Sequence, residues 1–239
     1  MNENDALNTI GNAIKSHGYF VYTISGGSSP RFLYTVGLHE KLDVELLFAG
    51  GAYFSAQLAK DIVDCAAKYL MNNPSTSSFN VENICGTFEL KKADESWSKS
   101  LPLGAIDYYK TDKVCLMQIT PPQQLLTIDV PNCELSMNDT GNRVWSWFDR
   151  SYPSGLPKNC SAITNLEALK GAAITEAMRW EVEQWELFSG AGPDVKKEDT
   201  RVVPLSTLVL YDPTLDPVMK LKEGKGLWRS EDMVWNDWG

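Results

Sequence analysis

The chain has 239 residues, of which 31 are Asp or Glu, 22 are Lys or Arg and two are His, giving a formal net charge of -9 at pH 7. This balance argues against nucleic-acid binding, because phosphate contacts need clustered basic residues and the longest basic runs here contain two residues. Hydrophobic residues make up 43% of the sequence, which supports a sizeable core and excludes general disorder.

No segment has the roughly 18 uninterrupted apolar residues of a membrane span, and the polar, acidic N-terminus does not resemble a signal peptide. We therefore expect a cytoplasmic protein without a membrane partner.

The opening segment predicts a short helix, since Leu7, Ile10 and Ile14 recur at helical spacing. Gly18 suits the end of this helix, because glycine tolerates a left-handed backbone, and His17 is interpreted as a structural residue at that end.

Strands and a second helix follow. Aromatic and β-branched residues predict strands over residues 19–24 and 32–36, joined by a Gly- and Ser-rich loop, and a third strand over 44–48. Five apolar residues then step by three or four positions and define one face of a helix: Phe54, Leu58, Ile62, Cys65 and Tyr69.

Further strands are expected before a change in composition. Residues 79–90 predict one or two strands interrupted near Gly86, and 114–119 predict another strand. Pro121 ends that strand because it lacks the amide hydrogen that a central strand donates. A boundary is predicted within residues 151–161, where Pro and Gly are frequent.

Beyond this boundary, apolar residues at helical spacing predict one continuous helix over residues 165–188. An extended segment is expected over 201–211, followed by a tail that ends in tryptophans. These patterns together predict an α+β protein. A mixed or antiparallel sheet flanked by helices is expected over residues 1–150, with a helical, Trp-rich extension over 160–239 docked on it.

Several short segments agree in order with one uncharacterised, mostly bacterial family. They are His17-Gly18-Tyr19, Tyr34-Thr35-Val36-Gly37-Leu38, Glu45-Leu46, Tyr108-Tyr109 and Gln118-Ile119. Over about residues 5–125 the sequence thus resembles domain-of-unknown-function family 4262. Asp43-Val44 departs from the small-residue and proline lead-in that the family usually has before its Glu-Leu motif. The resemblance implies relatives but no activity, because the family has no settled chemistry.

His39 and Glu40 are the one place where an imidazole is adjacent in sequence to a carboxylate. They follow a predicted strand next to Gly37, and strand ends commonly display functional residues. One interpretation is a general acid–base pair in a pocket that includes Tyr34. The other is a turn-forming histidine that hydrogen-bonds to local backbone, and both remain open.

The cysteines and histidines do not predict a metal site or a cofactor. The five cysteines are odd in number and widely spaced, and none forms a Cys-x-x-Cys pair: Cys65, Cys85, Cys115, Cys133 and Cys160. We predict free, mostly buried thiols. Two histidines that are not clustered cannot easily supply a nitrogen- or sulfur-rich site, and the Glu183 and Glu186 pair is interpreted as solvated surface rather than a cation site.

Five of the eight tryptophans lie between Trp180 and Trp238. Trp180 and Trp185 are five residues apart, which on the predicted helix places them roughly 140° from each other. They could seal the tail onto the first domain or act as aromatic hot spots for a protein partner. Glu183 and Glu186 would then form an acidic rim that favours a basic partner.

The sequence therefore favours a cytosolic, acidic protein-binding protein, such as an immunity-type antidote that blocks a toxin or effector domain. Its binding residues would include Trp180, Glu183, Trp185 and Glu186. The alternative is a small-molecule enzyme or ligand-binding domain with a pocket around Tyr34, His39 and Glu40.

Overall fold

A computed structural model describes residues 3–139, 141–148, 159–230 and 232–238, which form two compact units. The first unit contains the described residues up to 24, 31–125 and 130–139, and the second contains 25–30, 126–129 and those from 141 onward. Each unit has its own six-stranded sheet, so the protein is α+β as predicted. The predicted boundary falls largely outside the described residues, and the division into 1–150 and 160–239 stays a prediction.

The first unit has one mixed sheet with helices around it. Its helices are α1 (Glu3–His17), α2 (His39–Leu42), α3 (Ala56–Asn72), α4 (Glu95–Ser100) and α5 (Leu103–Tyr109). Its strands are β1 (Phe20–Ile24), β2 (Phe32–Val36), β3 (Glu45–Ala49), β4 (Ser78–Asn80), β5 (Thr87–Lys92) and β6 (Leu116–Thr120). The sheet order is β1-β2-β3-β6-β5-β4, and only β3 and β6 pair in parallel. The strands predicted in this unit are confirmed, whereas α2, α4 and α5 were not predicted.

The helix predicted from residue 54 is confirmed as α3, but its buried face differs from the predicted one. Ser55 caps the helix, since its hydroxyl accepts a hydrogen bond from the Leu58 amide at 3.2 Å. The stripe buried against the sheet consists of Ala59, Ile62, Val63, Ala66, Ala67 and Leu70. Tyr69 is exposed. Counting only large apolar residues misplaced the face, because alanines bring a helix close to a sheet and are buried with it.

The second unit is built on six short strands. These are β7 (Ser161–Asn165), β8 (Glu176–Glu181), β9 (Gln184–Phe188), β10 (Thr200–Pro204), β11 (Lys225–Arg229) and β12 (Trp235–Asp237). The helices are α6 (Leu166–Leu169) and α7 (Leu205–Tyr211), and short 3-10 helices span Arg143–Phe148, Gly192–Asp194, Lys197–Asp199, Pro213–Leu215 and Val218–Lys220. The sheet order is β10-β7-β9-β8-β11-β12, in which only β7 and β9 pair in parallel.

The continuous helix predicted over residues 165–188 is wrong. The segment forms the end of β7, one helical turn in α6, and then the antiparallel hairpin β8–β9. Gly171 follows the helical turn with φ of 96°, and a Cβ atom there would lie 2.8 Å from the Tyr211 hydroxyl. Beyond it, Met178 pairs with Glu186 and Arg179 pairs with Trp185, so consecutive side chains point to alternate faces as in a strand rather than a helix.

The extended segment predicted over residues 201–211 is correct only in its first part. Pro204 ends β10, and the chain continues as α7, whose residues Leu205 and Leu208 are buried one helical turn apart.

Among the described residues, no helix combines the length and apolar character that crossing a bilayer would need. All five cysteines are free, as predicted, but only Cys133 and Cys160 are buried.

Candidate functional site

The segments that carry the family resemblance meet where β2 and β3 separate. The last cross-strand pair of β2 and β3 is Tyr34 with Leu47. Beyond it, the Leu46 amide donates to the Thr35 side-chain oxygen at 2.8 Å rather than continuing the backbone ladder. The opening between the strands is filled by the side chain of Glu45, which is fully buried.

The Glu45 carboxylate accepts hydrogen bonds from four groups. Its Oε1 atom accepts from the amides of Gly37 and His39, at 2.9 and 3.0 Å, and from the Tyr109 hydroxyl at 2.6 Å. Its Oε2 atom accepts from the Thr35 hydroxyl at 2.5 Å. Burial raises the pKa of Glu45, and these four hydrogen bonds oppose that shift. Burial and the nearby Glu45 also raise the pKa of Tyr109, which keeps its hydroxyl a donor.

Gly37 is required by this arrangement. Its φ is 119°, and a Cβ atom would lie 2.9 Å from both the Gly18 carbonyl oxygen and the Tyr19 Cα atom. The Glu45 carboxylate therefore fixes the turn between β2 and α2 through backbone amides that no side chain at position 37 could replace. With both oxygens occupied and no exposure, Glu45 acts as an anchor for this turn rather than as a base open to a substrate.

The turn places His39 at the mouth of an open cavity of about 540 Å³. Glu40, Leu70 and Met117 also line this cavity. The His39 Nδ1 atom has no hydrogen-bond partner and lies 3.5 Å from Asp43 Oδ1. The imidazole ring centre lies 5.1 Å from that of Tyr109.

Tyr34 is not part of this cavity. It is buried, its ring stacks on Tyr22 with 5.0 Å between ring centres, and its oxygen accepts a hydrogen bond from the Gly104 amide at 3.0 Å. The structure thus brings His39 and Glu40 to one cavity and places Tyr34 elsewhere. Sequence reasoning did not assign Thr35, Glu45 and Tyr109 to a site, although a carboxylate inside the apolar run of β3 was a visible signal.

A second candidate site is one face of the sheet in the second unit. Cross-strand partners share a face, and five of them form one row across five strands: Val202, Ile163, Glu186, Met178 and Gly226. Trp180, Trp228 and Trp238 flank this row. We call this surface, from Val202 to Trp238, the open face.

The open face exposes large apolar side chains. The exposed fraction is 70% for Val202, 54% for Trp180 and 42% for Trp238. Trp238 lies against Gly226, where a Cβ atom would come within 2.6 Å of its ring, and its amide donates to the Gly226 carbonyl at 3.1 Å. Glycine in β11 therefore makes room for an aromatic ring on the sheet surface.

Two carboxylates lie among these apolar residues. The Trp180 indole donates a hydrogen bond to Glu186, whose pKa is raised by burial and by the charge of Glu176. The Glu176 Oε2 atom accepts a hydrogen bond from the Gly192 amide at 2.7 Å. None of the described strand positions on the open face carries Lys or Arg, so the charge of these positions is negative, whereas Lys220, Lys222 and Lys225 line a cavity together with Gly226 and Trp238 at its edge.

The four residues predicted for binding near the second half of the chain do not share one surface. Trp180 and Glu186 lie on the open face, and Glu183 is exposed in the turn between β8 and β9. Trp185 is only 1% exposed on the opposite face, with the Arg179 guanidinium 4.4 Å from its ring centre. Strand periodicity, rather than a helical angle of 140°, sets these directions.

The described residues contain no group of three or more His, Cys, Asp or Glu side chains that could hold a metal ion.

The first unit is an α+β domain in which a buried glutamate anchors a glycine turn. Residues 13–125 match the model of the family described as a domain of unknown function, DUF4262. No curated protein and no solved structure matches the chain.

Proposed function

We propose that this protein binds another protein through the open face of its second sheet, and that its partner presents a basic surface. The single observation that supports this most strongly is the combination of three exposed tryptophans with two carboxylates and no cation on the strands of one sheet face. Large exposed apolar patches on a folded chain are typical of interaction sites, and tryptophan is enriched among interface hot spots.

The charges on the open face indicate that the partner is basic. Glu176 and Glu186 are close enough for the charge of one to raise the pKa of the other. A Lys or Arg from a partner would relieve this repulsion. The apolar surroundings would strengthen its attraction to the two carboxylates. The overall charge of -9 adds long-range attraction for a basic protein.

An immunity-type antidote is the specific form of this proposal, in which the partner is a toxin or effector domain. We place this activity in the cytoplasm, because five unpaired cysteines suit a reducing compartment. Co-expression with the product of a neighbouring gene tests this form. Protection from toxicity that disappears when Trp180 and Trp228 are both replaced by Ala supports it. No protection by the wild-type chain, or equal protection by the wild type and the double variant, opposes it.

A capture experiment with matched variants tests the general proposal. The full chain, the variant Trp180→Ala with Trp228→Ala, and the control Tyr69→Ala serve as baits for an extract of the source cells. Tyr69 is an exposed aromatic residue of α3 in the first unit and does not belong to the open face. We expect a basic protein on the wild-type and Tyr69→Ala baits that is absent from the double variant. A protein retained equally by all three baits would contradict the proposal.

Ligand binding at the His39 cavity is the second candidate function. It is favoured by one observation: the Glu45 anchor holds His39 and Glu40 in one cavity of about 540 Å³. Native mass spectrometry of the purified chain tests it. A bound small molecule that is lost in His39→Ala but kept in His17→Ala would support this candidate, and an unliganded mass for the wild type would oppose it.

A further inference from the structure

A cleft of about 550 Å³ in the second unit is distinct from the open face and from the His39 cavity. Most of its wall is apolar and is formed by Ile128, Ala168, Ala172, Ala173, Leu208 and Met233. Small residues after α6 provide the space. The polar part of the wall consists of Tyr211, Asp212, Thr214 and Arg229.

Arg229 is the charged group of this cleft, and its side chain is only 2% exposed. Its Nη2 atom donates to the side-chain oxygen and the carbonyl of Thr214, at 2.6 and 3.2 Å. The guanidinium carbon lies 4.1 Å from the ring centre of Trp235. These contacts fix the orientation of the guanidinium without using all of its donors.

The ion pair of Arg229 is incomplete. Asp212 Oδ2 lies 3.5 Å from Nη2, while Asp212 Oδ1 accepts hydrogen bonds from the amide and hydroxyl of Thr214. The Arg229 Nε atom is buried and has no hydrogen-bond partner. Burial lowers the pKa of Arg229, yet a guanidinium stays protonated, so a buried positive charge faces a largely apolar cleft. An additional planar acceptor would offset this desolvation.

We propose that this cleft binds a small organic carboxylate with an apolar body. The volume falls within the range of small-molecule sites, and the wall offers apolar contact for the body of such a ligand. The planar guanidinium suits a carboxylate, which it can bind through two parallel hydrogen bonds. Asp212, directly beside Arg229, disfavours ligands with several negative charges, such as phosphate esters.

Calorimetric titration of the full chain with octanoate and with octanamide tests this site. The two probes share an apolar chain and differ in the charge of the head group. We expect octanoate to bind at least tenfold more tightly than octanamide. Arg229→Gln should remove this preference, because a neutral amide side chain offers the carboxylate no positive charge.

A second variant guards against an Arg229 variant that fails to fold. Ala172 is exposed on the wall of the cleft, so Ala172→Phe fills the space without replacing a core residue. It should abolish octanoate binding, whereas Ala56→Phe, at an exposed position of α3, should not. Equal affinity for octanoate and octanamide, no binding of octanoate, or octanoate binding that survives Ala172→Phe would each overturn the proposal.

Discussion

At the scale of single residues, Glu45 shows how a buried charge can organise a turn. Four donors converge on its carboxylate, and two of them are the backbone amides of Gly37, after β2, and of His39, the first residue of α2. A buried donor that loses its acceptor costs about 1–3 kcal/mol, so the energetic role of Glu45 lies in satisfying these groups together.

Substitutions at Glu45 separate hydrogen bonding from charge. Glu45→Gln keeps one oxygen for Gly37, His39 and Tyr109, and its amide nitrogen can donate to the Thr35 oxygen. We expect a loss of about 1 kcal/mol in the free energy of unfolding for Gln, and about 4 kcal/mol for Glu45→Leu, which removes the acceptor of three donors, since the Gly37 amide also donates to the Tyr109 oxygen. Urea denaturation measures both values. Equal losses for Gln and Leu would contradict the anchoring role.

Glu186 illustrates a different use of a carboxylate at this scale. Its raised folded-state pKa means that its contribution to stability is present below its unfolded pKa and is lost as the pH rises through the folded pKa. A cationic partner reverses this penalty, because it favours the charged form. Glu186 is thus suited to binding more than to stability.

The pH dependence of partner binding follows from this sign. As the pH falls through the raised pKa of Glu186, the carboxylate is protonated and affinity for a basic partner should fall, at a higher pH than for an ordinary glutamate. Glu186→Gln should remove this part of the profile, whereas Glu82→Gln, at an exposed position of the first unit, should keep it. Partner affinity measured as a function of pH tests this prediction. Identical pH profiles of affinity for the wild type and Glu186→Gln would exclude Glu186 from the interface.

At the scale of elements, the hairpin β8–β9 directs its two tryptophans to opposite sides of one sheet. Trp185 packs inward and Trp180 outward, so the same substitution has different consequences. Trp185→Ala should cost about 3–5 kcal/mol because it opens a cavity in the core, while Trp180→Ala should cost less than about 1 kcal/mol. Thermal unfolding of the two variants measures this contrast. Similar losses would be inconsistent with the hairpin.

The same hairpin marks the limit of what the sequence predicts about the fold. In the first unit, β-branched runs bounded by Gly and Pro predicted the strands correctly, and apolar periodicity predicted α3. In residues 165–188, apolar residues satisfied helical spacing by coincidence. Gly171 and the following Ile174-Thr175 were the local signals for a strand, and the pairing of β8 with β9 and β11 decided the outcome.

The candidate sites were predictable to different degrees. His39 and Glu40 are adjacent in sequence, so their shared cavity could be anticipated. Tyr109 reaches Glu45 from 64 residues away, and no local pattern encodes that contact. The row of the open face depends on the register of five strands, which a single sequence does not reveal.

At the scale of the whole molecule, part of the acidic charge can be assigned to the open face. The strands of the second unit present Glu176 and Glu186 among tryptophans, whereas Glu45 is internal to the first unit and unavailable to a partner. Electrostatic attraction to a basic partner should weaken with added salt, while the contacts of Trp180, Trp228 and Trp238 should persist. The two contributions can therefore be measured separately.

Oxidative footprinting of the full chain, alone and with its captured partner, tests the central claim most directly, because it reports the solvent exposure of individual side chains. In the free chain, we expect rapid labelling of Trp180 and Trp238 and slow labelling of Trp185 and Trp97. On binding, labelling of Trp180, Trp228 and Trp238 should fall several-fold, while labelling of Tyr69 should not change. Unchanged labelling of these three tryptophans in the complex would contradict the proposal that the open face binds the partner.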